Sequence, residues 1–106
     1  MVARATDQNV KFFSQKIREK IGTHIRQLVL FGSRARGDAQ EGSDYDFLVV
    51  LDTVAPTIKD SVLDVEVEFM NTCNALSSCM IYDEESWEQN KKFPIGINIQ
   101  REGIVL

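Results

Sequence analysis

Apolar residues near the start of the chain recur at spacings of three and four: Val10, Phe13, Ile17 and Ile21. Lys11, Gln15, Arg18, Glu19 and Lys20 fall on other faces. This period gathers the apolar side chains into one stripe of a helix. Thr6 and Asp7 offer its start, and Gly22 sits where it stops. Beyond Gly22 the pattern changes. Ile25-Arg26-Gln27-Leu28-Val29-Leu30-Phe31 is rich in β-branched and aromatic residues and reads as a strand. Gly32-Ser33-Arg34-Ala35-Arg36-Gly37 breaks it, a short helical turn follows, and residues 38–43 form a polar loop. Residues 44–51 are the second strand. Its core, Phe47-Leu48-Val49-Val50-Leu51, is apolar at every position, as expected of a strand covered on both faces.

Residues 57–76 carry two patterns at once. Leu63, Val65, Val67 and Phe69 alternate with Asp64, Glu66 and Glu68, which is strand-like. Ile58, Val62, Val65, Phe69, Cys73 and Leu76 fit a helical stripe over a longer window. The helix is the preferred reading, because parallel or mixed strands need such a connection and Pro56 suits its first turn. Ser78-Cys79-Met80-Ile81-Tyr82 reads as a third strand. Asp83 then caps a helix through Trp87, with acids in its first turn. Pro94 interrupts the chain, and residues 95–106 give a short helix closed by Gly103 and an extended end.

Composition narrows the class. At 106 residues the chain is expected to be one domain, 1–106, with a single core. An apolar fraction of 43% and a charged fraction of 26% are those of a globular protein. The net charge of −4 gives no basic patch of the kind that grips a nucleic-acid backbone, so direct nucleic-acid binding is not expected. Cys73 and Cys79 have no metal-like spacing. With no apolar leader and no segment able to span a bilayer, they suggest reduced thiols and a cytoplasmic location. Cys79 reads as a small buried hydrophobe. His24, the only histidine, reads as a surface residue, and Phe12, Phe13, Phe93 and Trp87 as core or interface packing.

The chemistry concentrates between Gly32 and Asp46. Glycine lets the chain turn tightly and lets a phosphate approach the backbone, while Ser33 adds a hydroxyl and an N–H at a helix start. In isolation this is equally an ordinary strand-to-helix turn. Arg34 and Arg36 flank it and could neutralise phosphate charge, or be solvated cations. Asp44 and Asp46 are the strongest element. Residues two apart on a strand point to one side, with Cα atoms roughly 6.5–7 Å apart. Two carboxylates so placed repel unless a cation bridges them, and magnesium takes its remaining ligands from phosphates and water.

The stretch FGSRARGDAQEGSDYDFLVVL, residues 31–51, with Gly32-Ser33, ten intervening residues and Asp44-Tyr45-Asp46, resembles the signature of the DNA polymerase β-like nucleotidyltransferase superfamily, and in particular its minimal nucleotidyltransferase branch. Arg101-Glu102-Gly103 is similar, more weakly, to the end of that branch. The resemblance implies an α/β (α+β) fold, a short mixed sheet with helices packed against it. It implies that Gly32, Ser33, Arg34, Arg36 and Ser43 hold ATP or another nucleoside triphosphate. Asp44 and Asp46 would be catalytic and would bind two Mg²⁺ ions. The implied reaction moves a nucleoside monophosphate, AMP foremost, onto a hydroxyl. The implied partner is a helical HEPN-type protein in a toxin–antitoxin module, or further copies of the chain.

One departure stands out. The family's third carboxylate aligns near Ser78, which is not acidic. Asp83 comes late on its strand, and Asp64, Glu66 and Glu68 belong to a helix face. General-base help contributes about 10²–10⁴-fold, so its loss slows transfer without abolishing it. The departure leaves a rival reading, a binding module that neutralises its partner by occlusion. A weaker third reading is a small-molecule modifier of the aminoglycoside nucleotidyltransferase kind, although the added helical domain of those enzymes is not evident.

Overall fold

The computed structural model describes residues 7–106. Thr6, half of the expected helix start, lies outside them. Asp7 caps the first helix, α1 (Gln8–Ile21), with its carboxylate accepting from the Asn9 and Val10 N–H groups at 2.7 and 3.4 Å. A 3₁₀ turn, Gly22–His24, leads into β1 (Ile25–Phe31). The short α2 (Ser33–Arg36) follows and ends on left-handed Gly37. Then come β2 (Tyr45–Leu51), α3 (Pro56–Cys73), β3 (Ser77–Asp83), α4 (Glu84–Asn90), α5 (Pro94–Glu102) and the two-residue β4 (Ile104–Val105).

The sheet is mixed, in the order β3-β2-β1-β4. β1 runs antiparallel to β2 and β4, and β2 runs parallel to β3. The parallel pair explains the eighteen-residue α3, because such strands need a long crossover. The strand-like alternation within 57–76 is therefore helical. Val62, Val65 and Phe69 are buried, whereas Leu63 and Val67 lie on another side of the helix and are exposed.

Both faces of the sheet are covered, which accounts for the unbroken apolar run of β2. Leu28, Leu30, Tyr45, Phe47, Val49 and Leu51 pack against α1 and α3. Val29, Phe31, Leu48 and Val50 pack against Trp87 of α4 and Ile99 of α5. On the first face the Phe13 and Phe47 rings stack at 3.9 Å, and Phe69 meets Phe13 edge-on at 5.6 Å. Phe13 and Trp87 are buried as expected, Phe12 is partly buried, and Phe93 is exposed.

Local details differ from expectation in two places. Asp44 falls just ahead of β2, which begins at Tyr45. β3 extends one residue beyond the expected strand at each end, and Asp83 both ends it and caps α4. Gly103 closes α5 as expected, in an extended conformation (φ −68°). Its reason is space. A Cβ there would strike the Ile99 carbonyl, with Val29 Cγ1 2.5 Å away. Among the described residues no helix is long and apolar enough to cross a membrane.

Candidate active site

The residues singled out from the sequence converge on one end of the sheet, where β1 ends and β2 begins. Phe31 is the register partner of Asp46, so the turn after β1 arrives beside that carboxylate. Gly32 takes φ +74°, a conformation that favours glycine. A Cβ on Gly32 would collide with the Asp46 carboxylate and stand 3.1 Å from its Cγ. The missing side chain lets the turn backbone and the acid occupy adjoining space. Ser33 opens α2, where the first N–H groups precede any intrahelical acceptor.

Asp46 is half-buried and Asp44 exposed. Burial pushes the Asp46 carboxyl above the usual carboxylate range, and the Asp44 charge pushes it further. Arg36 opposes the shift and Glu102 adds to it. Three negative groups thus share one corner with one opposing guanidinium. A site that burdens its own acid in this way suits an added cation. An exposed carboxylate beside a half-buried one also suits Mg²⁺, which binds few protein groups and keeps water and phosphate ligands. Among the described residues no group of three or more His, Cys, Asp or Glu side chains forms a complete metal cage.

The two arginines have different surroundings. Arg36 donates from Nη1 to Glu102 Oε2 at 2.9 Å and from Nε to Asp38 Oδ2 at 3.1 Å, which raises the pKa of its guanidinium. Arg34 turns the other way. Its Nε and Nη2 donate to the Ser43 carbonyl at 3.2 and 2.9 Å, and its guanidinium lies 4.4 Å from the centre of the Tyr45 ring. Ser43 Oγ accepts from the Gln40 N–H at 3.0 Å and pins the polar loop. Arg34, Ser43 and Tyr45 line a cleft of about 480 Å³ together with Asn9, Met70 and Leu76. Its size lies within the range of small-molecule sites. Asp44 and Asp46 do not line this cleft, although Ser43 and Tyr45 are their chain neighbours.

Ser78 is the register partner of Asp46 on β3, so the strand position beside the acid is a serine, and it is exposed. The acids of α3 do not replace a carboxylate there. Glu66 accepts from Ser77 Oγ at 3.2 Å and also bonds Cys79. Ser77 and Cys79 are the register partners of Tyr45 and Phe47, on the opposite face of the sheet from Asp46. Asp64 and Glu68 face Lys20 and Lys16 of α1. Asp83 pairs in register with Leu51 at the far end and caps α4. His24 stays at the surface and bonds Asp52 at 2.9 Å.

Sequence reading gave Glu102 no role. Its Oε1 accepts from the Gly32 N–H at 3.3 Å while Oε2 holds Arg36, and its side chain is only 17% exposed. The signal was weak but present, an acid next to a glycine in a segment that resembles the end of the family pattern. Cys79 packs against the core as the small hydrophobe expected. It is partly buried beside Glu66, and desolvation pushes its thiol far above the ordinary range.

Comparison with known proteins agrees with this geometry. The profile of the nucleotidyltransferase domain matches residues 10–95. A Methanocaldococcus jannaschii protein named for protein adenylyltransferase activity is 29% identical over 100 residues, covering 94% of this chain and 96% of its own. A toxin–antitoxin crystal structure with AMP-PNP superposes with a TM-score of 0.64 at 16% identity, over 93% of this chain and 72% of that one. A mutant of the toxin–antitoxin MntA–HpeT superposes at 0.62 and 15% identity with the same coverage. At such identities the solved structures speak for the fold. The sequence profile, the curated relative and the mixed sheet carrying Gly32-Ser33 and Asp44-Tyr45-Asp46 agree: the chain belongs to the nucleotidyltransferase domain family.

Proposed function

We propose that the chain transfers AMP from ATP, with magnesium, to a hydroxyl of a partner protein, and that this partner is the helical HEPN-type toxin of a toxin–antitoxin pair. The observation that carries the reading is the abutment of Gly32 on the Asp46 carboxylate, which sets the Gly-Ser turn beside an acid pair. Asp44 and Asp46 are the residues that would hold the metal. When bound, it supplies positive charge to the phosphates and lowers the pKa of the attacking hydroxyl. Gly32 and Ser33 seat the triphosphate, and Arg36, steadied by Asp38 and Glu102, faces the same corner. Arg34 and Ser43 border the adjoining cleft, which is roomy enough for a nucleoside. The acceptor oxygen bonds to the α-phosphorus, pyrophosphate leaves with the electrons of the broken P–O bond, and the hydroxyl proton passes to water or a neighbouring base.

Support for AMP and for a protein acceptor comes from the name of the Methanocaldococcus relative. Support for a toxin partner comes from the two solved toxin–antitoxin structures. Ser78 beside Asp46 favours a second reading, in which the chain binds its partner and transfers nothing. Labelled ATP, Mg²⁺ and the protein encoded by the adjacent gene separate the two. Label on that protein, lost in an Asp44→Asn/Asp46→Asn variant, is the expected result. Protection of the partner by that variant, with no label moved by the unaltered chain, would overturn catalysis in favour of occlusion.

A further inference from the structure

β3 is the edge of the sheet, and among the described residues no strand pairs with its outer side. Beside it, one side of α3 presents Leu63, Val67 and Met70 at helical spacing, joined by Leu76 just before β3. Leu63 and Leu76 are 57% and 56% exposed, and Val67 and Met70 nearly as open. These side chains and Ser77 form a shallow groove. The one ionisable group lining it is Glu66, and among the described residues no cation lies within salt-bridge distance of its carboxylate.

The charge around the groove is one-sided. Between Lys59 and Ser77, the stretch that borders the groove, the sequence holds four acids, Asp60, Asp64, Glu66 and Glu68, and no Lys, Arg or His. Lys20 and Lys16 of α1 reach Asp64 and Glu68, at exposed positions where such pairs are weak and screened. We infer that the α3–β3 groove docks a partner protein through aliphatic side chains rimmed by lysine or arginine, one of which meets Glu66. Leu63, Val67 and Met70 supply the apolar contact, and the acidic surround selects a cationic partner and steers its approach. A second copy fits poorly, because a two-fold contact through this face would set Glu66 and its acidic surround against themselves. The groove also adjoins the cleft lined by Arg34, Ser43 and Tyr45, sharing Met70 and Leu76 with it, so a docked partner would lie next to that cleft. The inference stands whether or not the chain transfers a nucleotide.

The test uses the full chain carrying Asp46→Asn, so that binding is read apart from catalysis. The probe is a short helical peptide with leucines at i, i+4 and i+7 flanked by lysine and arginine. A control peptide carries glutamate at the cationic positions. Amide chemical shifts are expected to move at residues 63–77 with the cationic peptide only, with an affinity that falls as salt rises. Leu63→Ser/Val67→Ser, at exposed positions, should weaken binding about tenfold while leaving shifts elsewhere unchanged. Glu66→Gln should weaken the cationic peptide and leave the fold intact. Equal binding of the glutamate peptide, or shifts that cluster elsewhere or nowhere, would overturn the inference. So would a concentration-dependent dimer that Leu63→Ser/Val67→Ser dissolves, which would give the face to a second copy.

Discussion

Asp46 is a residue whose placement opposes stability. Its folded carboxyl is held above the ordinary range by burial and by Asp44, so the folded state binds its proton more tightly than the unfolded chain does. Ionised, it destabilises the fold at neutral pH, and that cost is relieved as pH falls through its raised value. Asp46→Asn should therefore melt at a higher temperature at pH 7 while losing transfer by about a hundredfold or more, read by scanning calorimetry and label transfer. Glu102 acts on the same carboxyl. Removing its charge in Glu102→Gln lowers the Asp46 pKa, so the acidic limb of a kcat/KM–pH profile should move to lower pH. Loss of the Gly32 and Arg36 contacts should at the same time lower the plateau. These residue-level couplings were only partly legible. The spacing from Gly32-Ser33 to Asp44 and Asp46 can be read directly. Glu102 cannot, because its contact with Gly32 spans seventy residues and no local period reports it.

At the scale of elements, α3 shows where pattern and packing part. An alternating run of acids and apolar residues satisfied both periods, and the connection between two parallel strands decided for the helix. Phe69 is its deepest anchor, fully buried and edge-on to Phe13, Tyr45 and Phe47. Phe69→Ala should cost about 3–5 kcal/mol of unfolding free energy, measured by denaturant titration. Strand and helix order were legible nearly throughout, because the changes of period fall at a Gly, Pro or Asp, except between α3 and β3, where Asn74 takes the left-handed turn. The helix end at Gly103 was legible, but its conformation was not. A glycine can end a helix by turning left-handed or by giving way to a neighbour, and the sequence looks the same in both cases.

At the scale of the whole molecule, two apolar faces rest on unequal cover. α1 and α3 shield one side of the sheet with two long helices, whereas the other depends on Trp87 from α4 and Ile99 from α5. A chain ended after residue 93 should bind a hydrophobic dye that the longer chain does not, since Val29, Phe31 and Leu48 lose the cover of Ile99. The order of synthesis gives this asymmetry a meaning. On a ribosome the strands that carry Asp44, Asp46 and the Gly32 bend emerge before α5, and Glu102 is made after all of them. Until that segment is free, the Arg36 guanidinium and the Gly32 amide lack their clasp. A growing polypeptide thus holds the corner around Asp46 unfinished until α5 has emerged.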